Sequence, residues 1–139
     1  MKVKKIMMLF FASAVVLLTG CEKENENDSK FNYPMEMLYG KWKLTQLKTS
    51  VNGSYIDCWL LGIQSTYATF HEDGKYYGSG YFGSGYGTYM AEGNTITTYV
   101  SGSVYYIYTV ISLTNNGRAE LKMSTADGSS SVWIICEKQ

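Results

Sequence analysis

Ala119-Glu120-Leu121-Lys122-Met123 alternates apolar and charged side chains without a break. Successive side chains of a strand point to opposite faces, so Ala119, Leu121 and Met123 share a buried face while Glu120 and Lys122 face water. Turn residues bound the stretch on both sides: Asn115-Asn116-Gly117 before it and Asp127-Gly128 after it. Gly and Asn accept the positive φ of tight hairpins, so this strand sits between two reversals. The next strand follows the same rule, with Val132, Ile134 and Cys136 on one face and Trp133 and Ile135 on the other.

Upstream, Asn52-Gly53, Asp73-Gly74 and Glu92-Gly93-Asn94 mark further reversals. Between them the chain is rich in Tyr, Thr, Val and Ile, residues that fit a pleated, half-buried surface. The strands expected are residues 39–49, 55–60, 65–71, 75–82, 85–91, 94–100, 104–113, 118–124 and 130–137. The links are too short for crossover helices, so the order is antiparallel and the fold class is all-β, a small meander closing into a barrel of about eight strands. Trp42 and Leu44 share an inner face opposite Lys41 and Lys43; Ala68 and Phe70 share another, as do Ile96, Thr98 and Val100. Residues 104–113 are apolar on both faces, with Tyr105, Ile107, Thr109, Ile111 and Leu113 on one and Tyr106, Tyr108 and Val110 on the other. Such a strand needs cover on both sides, from a short helical turn at Met35–Tyr39 or Tyr55–Ile63 or from a partner protein; the functional alternative is an exposed aromatic patch.

The front of the chain is different. Lys2, Lys4 and Lys5 precede an apolar run, Ile6 to Leu18, and Leu18-Thr19-Gly20-Cys21 follows. This resembles a bacterial lipoprotein signal peptide over residues 1–20 ending in a lipobox. The resemblance implies that Cys21 is the first mature residue and carries the lipid, palmitate or a similar acyl chain. The partner so implied is a membrane, and the location a lipid-anchored outer-membrane protein on either the cell surface or the periplasmic face. Residues 21–34 read as the lipidated cysteine and an acidic tether, with Glu22, Glu24, Glu26 and Asp28, and residues 35–139 as the domain. The acidic stretch resembles the export signals of surface lipoproteins; a plain solvated spacer fits it equally.

The chain carries 12 basic and 12 acidic residues, and loss of Lys2, Lys4 and Lys5 leaves the mature part acidic. No basic patch is written along it, which argues against nucleic acid. No metal or cofactor set is evident. Cys58 and Cys136 have no neighbouring His and make no zinc set; an oxidising compartment leaves them either bridged or separately buried. His71 is the lone histidine, and with Glu72, Asp73 and Gly74 it reads as a hairpin turn rather than a catalytic cluster. Asp57, Asp73, Glu92, Glu120 and Asp127 show no spacing that predicts a carboxylate pair. The chain therefore reads as non-catalytic.

Tyr76 to Tyr89 interleaves tyrosines with Gly78, Gly80, Gly83, Gly85 and Gly87. Glycine permits coiling and close approach in a curved sheet, and the rings would cover it. The alternative is a ligand surface for a small apolar or saccharide-like molecule, made by Tyr76, Tyr81, Tyr86 and Tyr89 with Tyr106 and Tyr108. Gly78 to Gly83 matches dinucleotide-binding spacing, but no strand-to-helix context surrounds it.

Tyr39-Gly40-Lys41-Trp42 resembles the Gly-x-Trp opening of lipocalins and of the lipocalin-like domains of Bacteroidetes lipoproteins. That resemblance implies that Trp42 closes the bottom of the barrel and that Gly40 lets the chain enter beside it. It also implies binding of a small ligand, the alternative being a structural or protein-interaction module with a filled core. No protein partner is indicated. Residues 70–97 are also similar, less closely, to the heat-shock-lipoprotein (META-type) domain, through Phe70, Asp73-Gly74, Gly87-Thr88-Tyr89 and Gly93-Asn94.

Overall fold

The computed structural model describes residues 30–139. The expected signal peptide, the expected lipid acceptor Cys21 and most of the expected tether lie outside the described residues. Phe31–Gln139 forms one compact unit. Its strands are β1 (Gly40–Lys48), β2 (Ile56–Asp57), β3 (Tyr67–Phe70), β4 (Lys75–Ser79), β5 (Gly85–Glu92), β6 (Thr95–Val100), β7 (Ser103–Leu113), β8 (Arg118–Thr125) and β9 (Ser131–Lys138). Short 3₁₀ turns lie at Met35–Met37, Cys58–Leu61 and Gly80–Phe82.

Every pairing between strands is antiparallel, and β9 pairs back onto β1. The meander thus closes into an eight-stranded, lipocalin-like barrel, with β2 as a short extra strand on β1. Closure removes the free sheet edges that would otherwise template association. The sequence-based strand over 55–60 shrinks to β2 followed by the Cys58–Leu61 turn, and the one over 75–82 ends at Ser79.

Three bulges decide which side chains face inward, and simple alternation does not show them. Ile135 pairs with Gln46 and Cys136 with Leu44, so Thr45 is an extra residue in β1. Its hydroxyl donates to the Ile135 carbonyl at 3.1 Å. The shift lets Trp42, Leu44 and Leu47 all reach the core. Between β6 and β7, Thr98 stands opposite both Tyr105 and Tyr106. Its buried hydroxyl donates to the Tyr106 carbonyl (2.8 Å) and accepts from the Tyr106 N–H (3.0 Å), satisfying the backbone groups that the bulge frees. Ile111 is the extra residue between the pairs Val110–Leu121 and Ser112–Glu120. The expected faces of this strand are corrected accordingly. Leu113 joins Tyr108 and Val110 in the core, Ile111 is exposed, and Tyr105 and Tyr106 both pack against the core.

Alternating strand directions define two ends. The near end, where the chain arrives at Phe31, holds the turns 71–74, 93–94 and 114–117 and the end of β9. Phe31 bridges to Gly93 and is buried, so it belongs to the barrel rather than to the tether. Here Trp42 is buried, 2% exposed. Its indole N–H donates to the Leu38 carbonyl at 2.7 Å, and Lys138 Nζ lies 5.3 Å from its ring. Gly40 carries a φ of +129° beside the Lys138 side chain, where a side chain would be strained. The far end holds residues 49–66, the turn at 80–84, Ser101-Gly102 and residues 126–130.

Candidate functional site

The barrel interior is a packed core. Its internal void measures about 20 Å³ and is lined by residues that include Trp42, Phe70, Phe82, Ile96, Tyr108 and Leu121. Small-molecule sites run to ~300–1,000 Å³, and even one water needs roughly 10–15 Å³ and polar partners. Rings fill the centre: Phe70 lies 5.5 Å from Tyr76, 5.0 Å from Tyr89 and 6.5 Å from Tyr108 between centroids. Tyr89 donates its hydroxyl proton to the His71 carbonyl at 2.7 Å. The Tyr76 and Tyr108 hydroxyls are neighbours, yet neither makes a hydrogen bond of normal geometry. Burial pushes the Tyr76 phenol up to about 12 and that of Tyr108 well above its ordinary value.

The six tyrosines singled out from the sequence do not share one surface. Tyr76, Tyr89 and Tyr108 are buried, Tyr106 is half-buried against the core, and Tyr81 and Tyr86 are exposed. The glycines among them make room. A Cβ at Gly78 would strike the Tyr76 hydroxyl, and one at Gly83 or Gly85 would strike the Tyr105 ring system. Tyr105 uses that space to donate its hydroxyl proton to the Phe82 carbonyl at 2.8 Å, tying β7 to the 80–82 turn.

The far end carries the exposed apolar surface. Trp59 is 74% exposed, Leu60 60% and Leu61 45%, with Val51, Ile56, Tyr81, Tyr86 and Val104 exposed around the same end. Among the other exposed large apolar residues, only Tyr77, Met90 and Ile111 lie elsewhere. Asp57 and Asp127 are the only charged residues in the far-end segments 49–66, 80–84, 101–102 and 126–130. Isolated exposed apolar residues are ordinary, but a cluster on one end marks a contact surface.

This end is held rigidly. The 58–61 turn is closed by Gly62 at φ +73° and by an Ile63 N–H to Cys58 carbonyl bond of 3.1 Å. Buried Thr66 joins two loops: its hydroxyl donates to the Gln64 carbonyl (2.9 Å) and accepts the Tyr81 N–H (2.7 Å). Its own carbonyl accepts from the Leu44 N–H at 3.0 Å. Beside these loops a groove of about 280 Å³ is lined by residues including Lys43, Thr45, Asp57, Trp59, Gln64 and Ser65. On the outer wall, Tyr55 donates to Glu120 Oε2 at 2.8 Å, tying the segment before β2 to β8. Burial, and next the hydrogen bond to Glu120, push the Tyr55 phenol up.

Sequence reasoning missed Trp59 and Thr66. The run Cys58-Trp59-Leu60-Leu61 lies both in the strand expected over 55–60 and in the helical turn expected within Tyr55–Ile63; it forms a 3₁₀ turn after the short β2, with Trp59, Leu60 and Leu61 facing outward. Cys58 and Cys136 are free thiols, both buried, and burial raises the pKa of each. His71, Glu72 and Asp73 form a turn: the His71 N–H bonds the Lys75 carbonyl (2.9 Å), and Asp73 Oδ1 accepts the Lys75 N–H (3.1 Å). Asp73 and Glu92 lie at the near end, Asp57 and Asp127 at the far end, and Glu120 is held by Tyr55. Among the described residues no cluster of three metal-ligating side chains occurs. No protein-family model matches the chain, and no curated protein matches it.

Proposed function

We propose that this protein is a non-catalytic, lipid-anchored lipoprotein of the outer membrane, of the kind built on lipocalin-like domains in Bacteroidetes, and that it binds with its surface rather than its interior. The observation that carries this reading is the contrast between a void of about 20 Å³ inside the barrel and the exposed Trp59-Leu60-Leu61 cluster at its far end. A filled barrel is a rigid stand, and rigid aromatic anchors lose little entropy on contact. Phe31, the first residue of the compact unit, bridges to Gly93 at the near end, opposite the Trp59 cluster. Small apolar and saccharide-like molecules are the ligand classes considered; an interaction module for another envelope protein would use the same surface.

The test is a titration of the full chain with the apolar dye bis-ANS. Saturable binding that falls several-fold in the Trp59→Ala/Leu60→Ser double variant is the expected result. Binding unchanged in that variant would locate the apolar site elsewhere and contradict the reading.

A further inference from the structure

We infer that the groove beside Trp59 is a binding site for a neutral saccharide, an inference that rests on the far end being the working surface and names its ligand class. The groove lies where β1 leaves β3 and meets β2. Its volume of about 280 Å³ sits near the lower edge of the ~300–1,000 Å³ range of small-molecule sites. Other surface grooves reach about 280, 360 and 380 Å³, so the lining rather than the volume singles this one out.

The chemistry of the lining separates the two ligand classes. Trp59 offers an exposed indole at the rim. Lys43 donates, Asp57 accepts, Gln64 and Ser65 do both, and Thr45, whose proton goes to the Ile135 carbonyl, can only accept, while Leu44, Cys58 and Ile63 supply an apolar part of the lining. A sugar presents an apolar C–H face for an aromatic ring and hydroxyls that both donate and accept around its edge, which is the combination displayed here. An apolar ligand would cover the Lys43 ammonium without offering it an acceptor and leave Asp57 only its bond from Gln46, a cost that a hydroxyl-bearing ligand avoids. A carboxylate and an ammonium in one groove favour a neutral ligand over a charged one.

The site is also preorganised. Gln46 Nε2 donates to Asp57 Oδ1 at 2.9 Å and so orients the carboxylate. Trp59 stands on the turn closed by Gly62, whose N–H bonds the Trp59 carbonyl at 3.3 Å. The Gln64–Thr66 loop is fixed to β1 and to Tyr81 through Thr66. Little ordering remains for a ligand to impose.

The experiment uses the full chain in a zwitterionic detergent, titrated with neutral tetrasaccharides of glucose, mannose, xylose and N-acetylglucosamine in α and β linkage. Tryptophan fluorescence and calorimetry are the readouts. At least one tetrasaccharide should bind saturably. Trp59→Ala should weaken it about tenfold, the scale of one lost aromatic contact. Asp57→Asn should weaken it several-fold, Trp59→Phe less than Trp59→Ala, and Tyr86→Ala not at all. No binding across the panel, or binding indifferent to Trp59→Ala, would overturn the inference. If bis-ANS still binds through Trp59 and Leu60 while no sugar binds, the saccharide assignment fails and the surface reading stands; if both fail, so does the surface reading.

Discussion

Trp42 and Trp59 stand at opposite ends of one barrel and show opposite uses of the same side chain. Trp42 is 2% exposed at the near end and spends its N–H on the Leu38 carbonyl. Trp59 is 74% exposed on a turn that backbone bonds hold in place. The near end is ringed by charged residues such as Glu72, Asp73, Glu92 and Arg118, whereas the far-end loops carry only Asp57 and Asp127. On our proposal, one end serves stability and the other contact. The difference is set by backbone connections rather than by residue type.

That division can be broken at graded strengths. Trp42→Ala should give the largest effect, a loss of about 3–5 kcal/mol in urea-melt stability, because it removes a large ring from a core with almost no void. A loss under about 1 kcal/mol would mean that the near end is not a structural closure. Thr98→Val keeps the shape but strands the Tyr106 N–H and carbonyl, so about 2–3 kcal/mol should be lost and the amide of Tyr106 should exchange faster with solvent. Thr66→Val removes the partner of the part-buried Tyr81 N–H and of the Gln64 carbonyl and should cost ~1–2 kcal/mol by the same melt. It should also disturb the far end, weakening bis-ANS binding, whereas Thr98→Val should leave the dye site intact.

Alkaline pH probes the interior alone. Tyr76, raised by burial to about 12, titrates near ~10 when unfolded. A folded-state pKa above the unfolded one gives stability that is complete below pH ~10 and is lost as the pH climbs toward the folded value. Tyr108 acts in the same direction. The melting temperature should therefore fall steadily above pH ~10, and a phenolate absorbance titration should show a late-ionising fraction. Simultaneous ionisation of all tyrosines in the folded chain would contradict the sealed core. The smallest stability effect belongs to Trp59→Ala, within about ±0.5 kcal/mol as for surface sites generally, while the dye and saccharide titrations change most. A large destabilisation would make Trp59 a structural residue and erase the contrast.

The strand count and the meander were legible because turn signals at Asp73-Gly74, Gly93-Asn94, Asn116-Gly117 and Asp127-Gly128 separate alternating runs. The bulges at Thr45, Thr98 and Ile111 were not legible, since an extra residue reverses the inside–outside phase without changing composition. Tyr86 and Tyr89 illustrate the limit at the site. Three residues apart on one strand, they must face opposite ways, and the structure exposes the first and buries the second. Trp59 escaped notice because an apolar run of four has no periodicity that distinguishes a buried strand from a turn.

The most direct test of a filled barrel that works at its far end is the ¹⁵N spectrum of the tryptophan indoles, three in the chain. Trp42 reports the near end and interior, Trp59 the groove, and Trp133, with Lys122 Nζ 5.6 Å from its ring, the outer wall. During a titration with the binding tetrasaccharide or with bis-ANS, the Trp59 signal should shift while those of Trp42 and Trp133 stay in place. A shift of Trp42 with Trp59 unmoved would put the ligand inside the barrel and contradict the account.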